Sequence, residues 1–66
     1  MIVNHNIKML RIRAEMTIEN AADKLGITRT TYRHIEYGHC EPKASTLLAV
    51  KKVYGVDLNK LLMEQI

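Results

Sequence analysis

Apolar residues along this chain fall into five short runs, each with the 3.6-residue spacing of a helix face. Ile7, Leu10 and Ala14 stand at i, i+3 and i+7, which predicts a first helix from Asn4 or Asn6 to about Ala14. Lys8, Arg13 and Glu15 then face water, and Met9 and Ile12 fall on other faces. Ile18, Ala21, Ala22 and Leu25 define a second helix, with Thr17 as its N-cap and Gly26 at its end. Thr28 is a second N-cap. The helix it opens, Arg29–Tyr37, turns Tyr32 and Ile35 inward and stops at Gly38. A loop over Gly38–Lys43 leads to a fourth helix, Ala44–Tyr54. Its stripe is Leu47, Val50 and Tyr54, with Leu48 and Val53 flanking and Lys51 snorkelling at the edge. Gly55 ends it. Asp57 caps a fifth helix with Leu58, Leu61 and Leu62 inward, and Met63 and Ile66 prolong the apolar edge. Met1–Val3 is an apolar start that is either a loose tip or a surface for a second subunit.

The centre of this pattern, Thr17–Gly38, is helix, glycine-containing turn, helix. That is the signature of a helix-turn-helix. The outer face of its second helix carries Arg29, Thr30, Arg33, His34 and Tyr37. These are cations and hydroxyls, where a merely solvated helix more often mixes Glu with Lys. The one acid on that helix is Glu36. Arg11 lies beside the first helix's apolar stripe, where a buried charge needs a partner; the competing reading is an independent surface charge.

Composition narrows the choices. The chain has 66 residues, enough for one domain that buries only ~60% of its unfolded surface. One cysteine, Cys40, excludes an internal disulfide and suits a reducing compartment. His34, His39 and Cys40 lack a fourth ligand, so no metal site is expected. Polar Asn4 and His5 follow the start at once, so no secretory leader is expected, and no run is long enough to span a bilayer. No repeat, linker or ligand-sensing segment is evident. Paired carboxylates and a phosphate-cradling glycine loop are both missing. Ser45, the only serine, begins a helix. Nothing therefore points to an enzyme, a cofactor or a small-molecule ligand. The net charge of +3, with a pI near 9.3, permits a polyanionic partner without requiring one.

The segment resembles the XRE-like helix-turn-helix family of phage repressors and Cro proteins. Met16, Thr17, Ala22, Leu25, Gly26, Ile27, Thr28, Ile35, Glu36 and Gly38 match that family's central pattern. Ile7–Arg11, Pro42–Val50 and Gly55–Leu62 resemble its first, fourth and fifth helices. The chain departs from the pattern at Ile18, where a phosphate-binding glutamine is common, and at Arg33, where serine is common. Tyr32 and Lys51 replace smaller residues.

The resemblance implies an all-α, five-helix, lambda-repressor-like domain. It implies sequence-specific binding of double-stranded DNA by a transcriptional regulator, a repressor acting as a homodimer on a pseudo-palindromic operator. The setting implied is bacterial or phage-encoded, cytoplasmic and nucleoid-associated. Carried over, the third helix lies in the major groove, with Arg29, Thr30, Arg33 and His34 reading bases. Thr17, Thr28, Thr31, Tyr37, His39 and Lys43, with second-helix N–H groups, hold phosphates. Arg11 and Glu36 form a structural pair, as the family commonly has. Leftover apolar residues Ile2, Val3, Met63 and Ile66 are candidates for the dimer interface. The alternative keeps the fold as a protein-interaction module of antirepressor or antitoxin type.

Overall fold

Five helices and no strands make up the computed structural model, which describes all 66 residues. They are α1 (Ile2–Arg13), α2 (Ile18–Leu25), α3 (Arg29–Glu36), α4 (Ala44–Tyr54) and α5 (Leu58–Met63). Helix α1 packs on α3 and α5, α2 packs on α3 and α4, and α4 closes on α5. The core is Val3, Ile7, Ala21, Ala22, Leu25, Tyr32, Ile35, Val50 and Leu61.

Short helices are dominated by their ends, because the first four N–H and last four C=O groups lack intrahelical partners. In α2 the Thr17 hydroxyl oxygen accepts from the Asn20 N–H at 3.1 Å. In α3 the Thr28 oxygen accepts from the Thr31 N–H at 3.1 Å, and in α5 Asp57 accepts from the Lys60 N–H at 3.3 Å. Gly26 closes α2 with φ +72°, a left-handed conformation in which any side chain is strained. The small Ala21 and Ala22 are buried in α2, where α3 and α4 close on it.

Helix α1 differs from the sequence expectation at both ends. It begins at Ile2, not at Asn4 or Asn6, because Val3 joins Ile7 and Leu10 in the apolar stripe. Val3 is therefore a core residue of its own chain and is not available for a dimer interface. Ala14 is exposed at the helix C-cap, and the buried stripe stops at Leu10. Helix α3 ends one residue early, with Tyr37 as its C-cap. Leu48 and Leu62, placed on or beside inward stripes from spacing, are exposed.

Asn4 and Asn6 are buried polar residues facing inward, not helix starts. The Asn6 amide donates to the carbonyls of Leu61 (2.8 Å) and Glu64 (2.6 Å), and its oxygen accepts from the Ile66 N–H at 2.8 Å. It thus satisfies the end of α5 from across the fold. The Asn4 amide does the same for α3, donating to the carbonyls of Ile35 (2.6 Å) and Cys40 (3.1 Å). Its own oxygen, Asn4 Oδ1, is buried without a partner.

Asn6→Ala strips three hydrogen bonds at once, one of them to the buried Leu61 carbonyl. We expect a loss of ~2–3 kcal/mol, read as a lower urea midpoint at an unchanged slope. A change below ~0.5 kcal/mol means that water replaces the amide there without cost.

Candidate nucleic-acid interface

Helix α3 presents two faces because Tyr32 and Ile35 lock it to the core. Residues between them on the helical wheel must face water, and Arg29, Thr30, Thr31, Arg33, His34 and Tyr37 are all exposed. One shallow depression is lined by Thr30, Arg33, His34, Tyr37 and His39. There the His39 ring meets His34 edge-on at 6.0 Å and Tyr37 edge-on at 6.1 Å between centroids. A second hollow brings Thr28 and Thr31 together with Lys43. The Thr28 hydroxyl donates to Thr31 Oγ1 at 2.9 Å, which leaves the Thr31 hydroxyl proton free for an outside acceptor. Thr17 Oγ1 is used as an acceptor by its own helix, so its proton is likewise free. Ile18 packs half-buried against the core, which is why an apolar residue is tolerated at the helix start.

Beneath this face lies the ion pair of Arg11 and Glu36. Arg11 Nε donates to Glu36 Oε2 at 2.7 Å and Nη2 donates to Oε1 at 3.3 Å, a two-point contact. Arg11 Nη1 also donates to the Met16 carbonyl at 3.1 Å. One guanidinium thereby ties α1 to the last residue of α3 and to the loop before α2. The side chains are 16% and 4% exposed, so this is a largely dry pair. The Glu36 contact holds the Arg11 pKa above its ordinary value.

Tyr32 lies fully buried next to that carboxylate. Its hydroxyl makes no hydrogen bond of sound geometry. Burial, reinforced by the Glu36 negative charge, pushes the phenol's pKa well above its usual value. Tyr54 is raised too, mainly by burial, and its hydroxyl donates to Met16 Sδ at 3.4 Å.

Two features had no signal in the spacing. The tie from Asn4 to the end of α3 joins residues 31 apart in the chain. The other is an ion pair between Arg29 and Glu19, a residue of the first turn of α2. The four apolar residues considered for self-association do not behave alike. Val3 is internal. Ile2 is half-buried beside Met1, Pro42, Leu47 and Leu62. Met63 is exposed. Ile66 is half-buried, its N–H held by Asn6 and its carbonyl by Arg13 at 3.2 Å. No three His, Cys, Asp or Glu side chains converge. No helix is long and apolar enough to cross a membrane.

Two helices set by threonine caps around a left-handed glycine, the second offering cationic and hydroxyl donors outward, define a helix-turn-helix protein. The chain belongs to the helix-turn-helix family, whose model matches residues 7–61. It is 41% identical over 59 residues to the uncharacterized HTH-type transcriptional regulator YqaE of Bacillus subtilis (strain 168), covering 89% of this chain and 51% of that protein. It is 31% identical over 58 residues to the cryptic phage CTXphi transcriptional repressor RstR of Vibrio cholerae, covering 88% of this chain and 52% of RstR. The chain therefore spans about half the length of these curated relatives. No solved structure matches it.

Arg11→Ala leaves a carboxylate that is 4% exposed without its cation, and we expect a loss of ~3 kcal/mol. Glu36→Ala costs less, because the freed guanidinium can reach water. Urea melts of both single variants and the double variant give the coupling energy, and a coupling near zero means that the pair holds nothing together.

A raised phenol pKa has a definite sign. Below pH 10 both states keep the Tyr32 proton, so this group adds no pH dependence. Above it the unfolded chain ionises while the folded one holds its proton, and this group's contribution falls by up to ~1.4 kcal/mol per pH unit. Tyr32→Phe is expected to be near neutral at pH 7, because its hydroxyl has no partner, and to flatten the alkaline slope. A loss above ~1 kcal/mol at pH 7 means that the hydroxyl does bond to Glu36 in solution.

Proposed function

We propose that this chain binds duplex DNA sequence-specifically, without catalysis, and regulates transcription as a repressor by occupying an operator and obstructing polymerase. The observation that carries this reading is the outer face of α3. Every side chain there able to leave the core is a donor, the helix is pinned from behind, and Lys43 extends the cationic surface beyond its end. A major groove admits a helix of this kind and shows each base pair a distinct pattern. The regulatory names of the two relatives point the same way.

In this reading Arg29, Thr30, Arg33 and His34 reach base edges. Thr17, Thr28, Thr31, Tyr37, His39 and Lys43 meet phosphate, together with the N–H groups at the start of α2. The active form is a homodimer. Its apolar contact draws on exposed Met63 and Leu62 and on half-buried Ile2, with Ile66 at the margin. Two-fold symmetry then demands a pseudo-palindromic site with half-sites roughly 10 base pairs apart, centre to centre.

Selection of bound oligonucleotides from a random pool tests the whole reading. The expected product is an inverted repeat of that spacing, with affinity that falls steeply as salt rises. No binding to any DNA at low salt overturns it and leaves a protein-interaction module. On the selected site, Arg29→Ala is expected to lose ~1–3 kcal/mol and relax preference at one symmetric position. Lys43→Ala is expected to weaken selected and random DNA equally and lower the salt slope by about 1 per chain. Equal weakening of both DNAs by Arg29→Ala reassigns Arg29 to phosphate.

A further inference from the structure

Arg29, the first residue of α3, forms an ion pair through Nη2 with Oε1 of Glu19, the second residue of α2. The two side chains are 51% and 62% exposed, so the pair adds little to folding. An acid is also out of place beside DNA, since it repels phosphate. Glu19 is the only acid in the first turn of α2, and the first turns of α3 and α4 have none. We infer that Glu19 is a positioning residue for DNA readout: it holds the Arg29 guanidinium away from the phosphates, so that its free edge meets a guanine. This inference rests on the DNA-binding reading above.

The chemistry follows from the donor count. A guanidinium has five N–H groups. One Nη2–H spent on Glu19 leaves the second Nη2–H and a neighbouring nitrogen as an intact fork for guanine O6 and N7. An untethered arginine at a helix start has many rotamers and finds the nearest phosphate readily. The carboxylate removes that option twice, by anchoring the cation and by repelling the backbone on the same side. The expected consequence is weaker random binding and sharper discrimination.

Asp23 provides the control. It lines the same small hollow as Glu19 and Arg29, yet it makes no ion pair with Arg29. Neutralising it changes the local charge by the same amount and leaves the tether intact.

The experiment measures dissociation constants of the full chain for the selected site and for random duplex, across a salt series. It compares wild type, Glu19→Ala, Glu19→Gln, Asp23→Asn, Arg29→Ala and the Glu19→Ala/Arg29→Ala double variant. For Glu19→Ala we expect random DNA to bind more tightly and the ratio of random to selected constants to fall about tenfold. Its salt slope rises by about 1 per chain as Arg29 turns to phosphate. Glu19→Gln keeps an acceptor for Nη2 and retains most of the ratio. In the Arg29→Ala background, removing Glu19 relaxes guanine preference no further. Melting midpoints of the Glu19 variants stay within about 2 °C of wild type, as an exposed pair requires.

An unchanged ratio in Glu19→Ala, or an equal fall in Asp23→Asn, overturns the inference and leaves Glu19 as a favourable charge on the α2 dipole. If wild type binds no DNA, the DNA reading fails and this inference with it. Wild-type binding with an unaffected ratio removes this inference alone.

Discussion

A helix that begins and stops inside a protein leaves N–H groups at one end and carbonyls at the other, and both must find partners. Five helices of six to twelve residues give this chain ten such ends within 66 residues. The starts are handled locally in α2, α3 and α5, by Thr17, Thr28 and Asp57. Two of the C-terminal ends take local backbone bonds and draw further donors from α1. Asn4 serves α3, Asn6 serves α5, and Arg11 adds a charged clamp to Glu36. Helix α1 therefore acts less as a core slab than as a row of donors. Its apolar residues, Val3, Ile7 and Leu10, set the distance at which those donors work.

This arrangement decides what is rigid at the outer face of α3. The C-terminal end of α3 is fixed at three points, by Asn4, by Arg11 and by burial of Ile35. Its N-terminal end is held by the Thr28 cap and the Gly26 turn, with Arg29 leaning on Glu19. The two ion pairs differ in kind. Arg11–Glu36 is dry, two-pointed and structural. Arg29–Glu19 is wet and one-pointed, with a guanidinium edge to spare. Burial accounts for the difference: a pair without water cannot be given up cheaply, whereas a solvated one can exchange partners.

Local signals read well in the middle of the chain and poorly at its start. Thr17, Gly26 and Thr28 are punctuation that acts within four residues, so both ends of α2 and the start of α3 were visible in the spelling. Asn4 and Asn6 were not. Within any short window an asparagine near a helix start reads as a boundary, and its true partners here lie 31 to 60 residues away. The same blindness extended the α1 stripe to Ala14 and assigned Val3 to a dimer surface. At the candidate site, the outward set on α3 follows from its period alone. Glu19 was missed because it sits on another helix and meets Arg29 only through the angle of the turn.

The periodicity of α3 also separates two kinds of inheritance. Tyr32 and Ile35 answer to the core, while positions 30, 33 and 34 face outward and position 29 meets only the exposed Glu19 of its own chain. A lineage can therefore rewrite its outward letters one at a time without spending the thin stability margin of so small a chain. Drift toward a new address begins from a folded protein at every step. The inward residues, held by three separate clamps, are where such a lineage is expected to stand still.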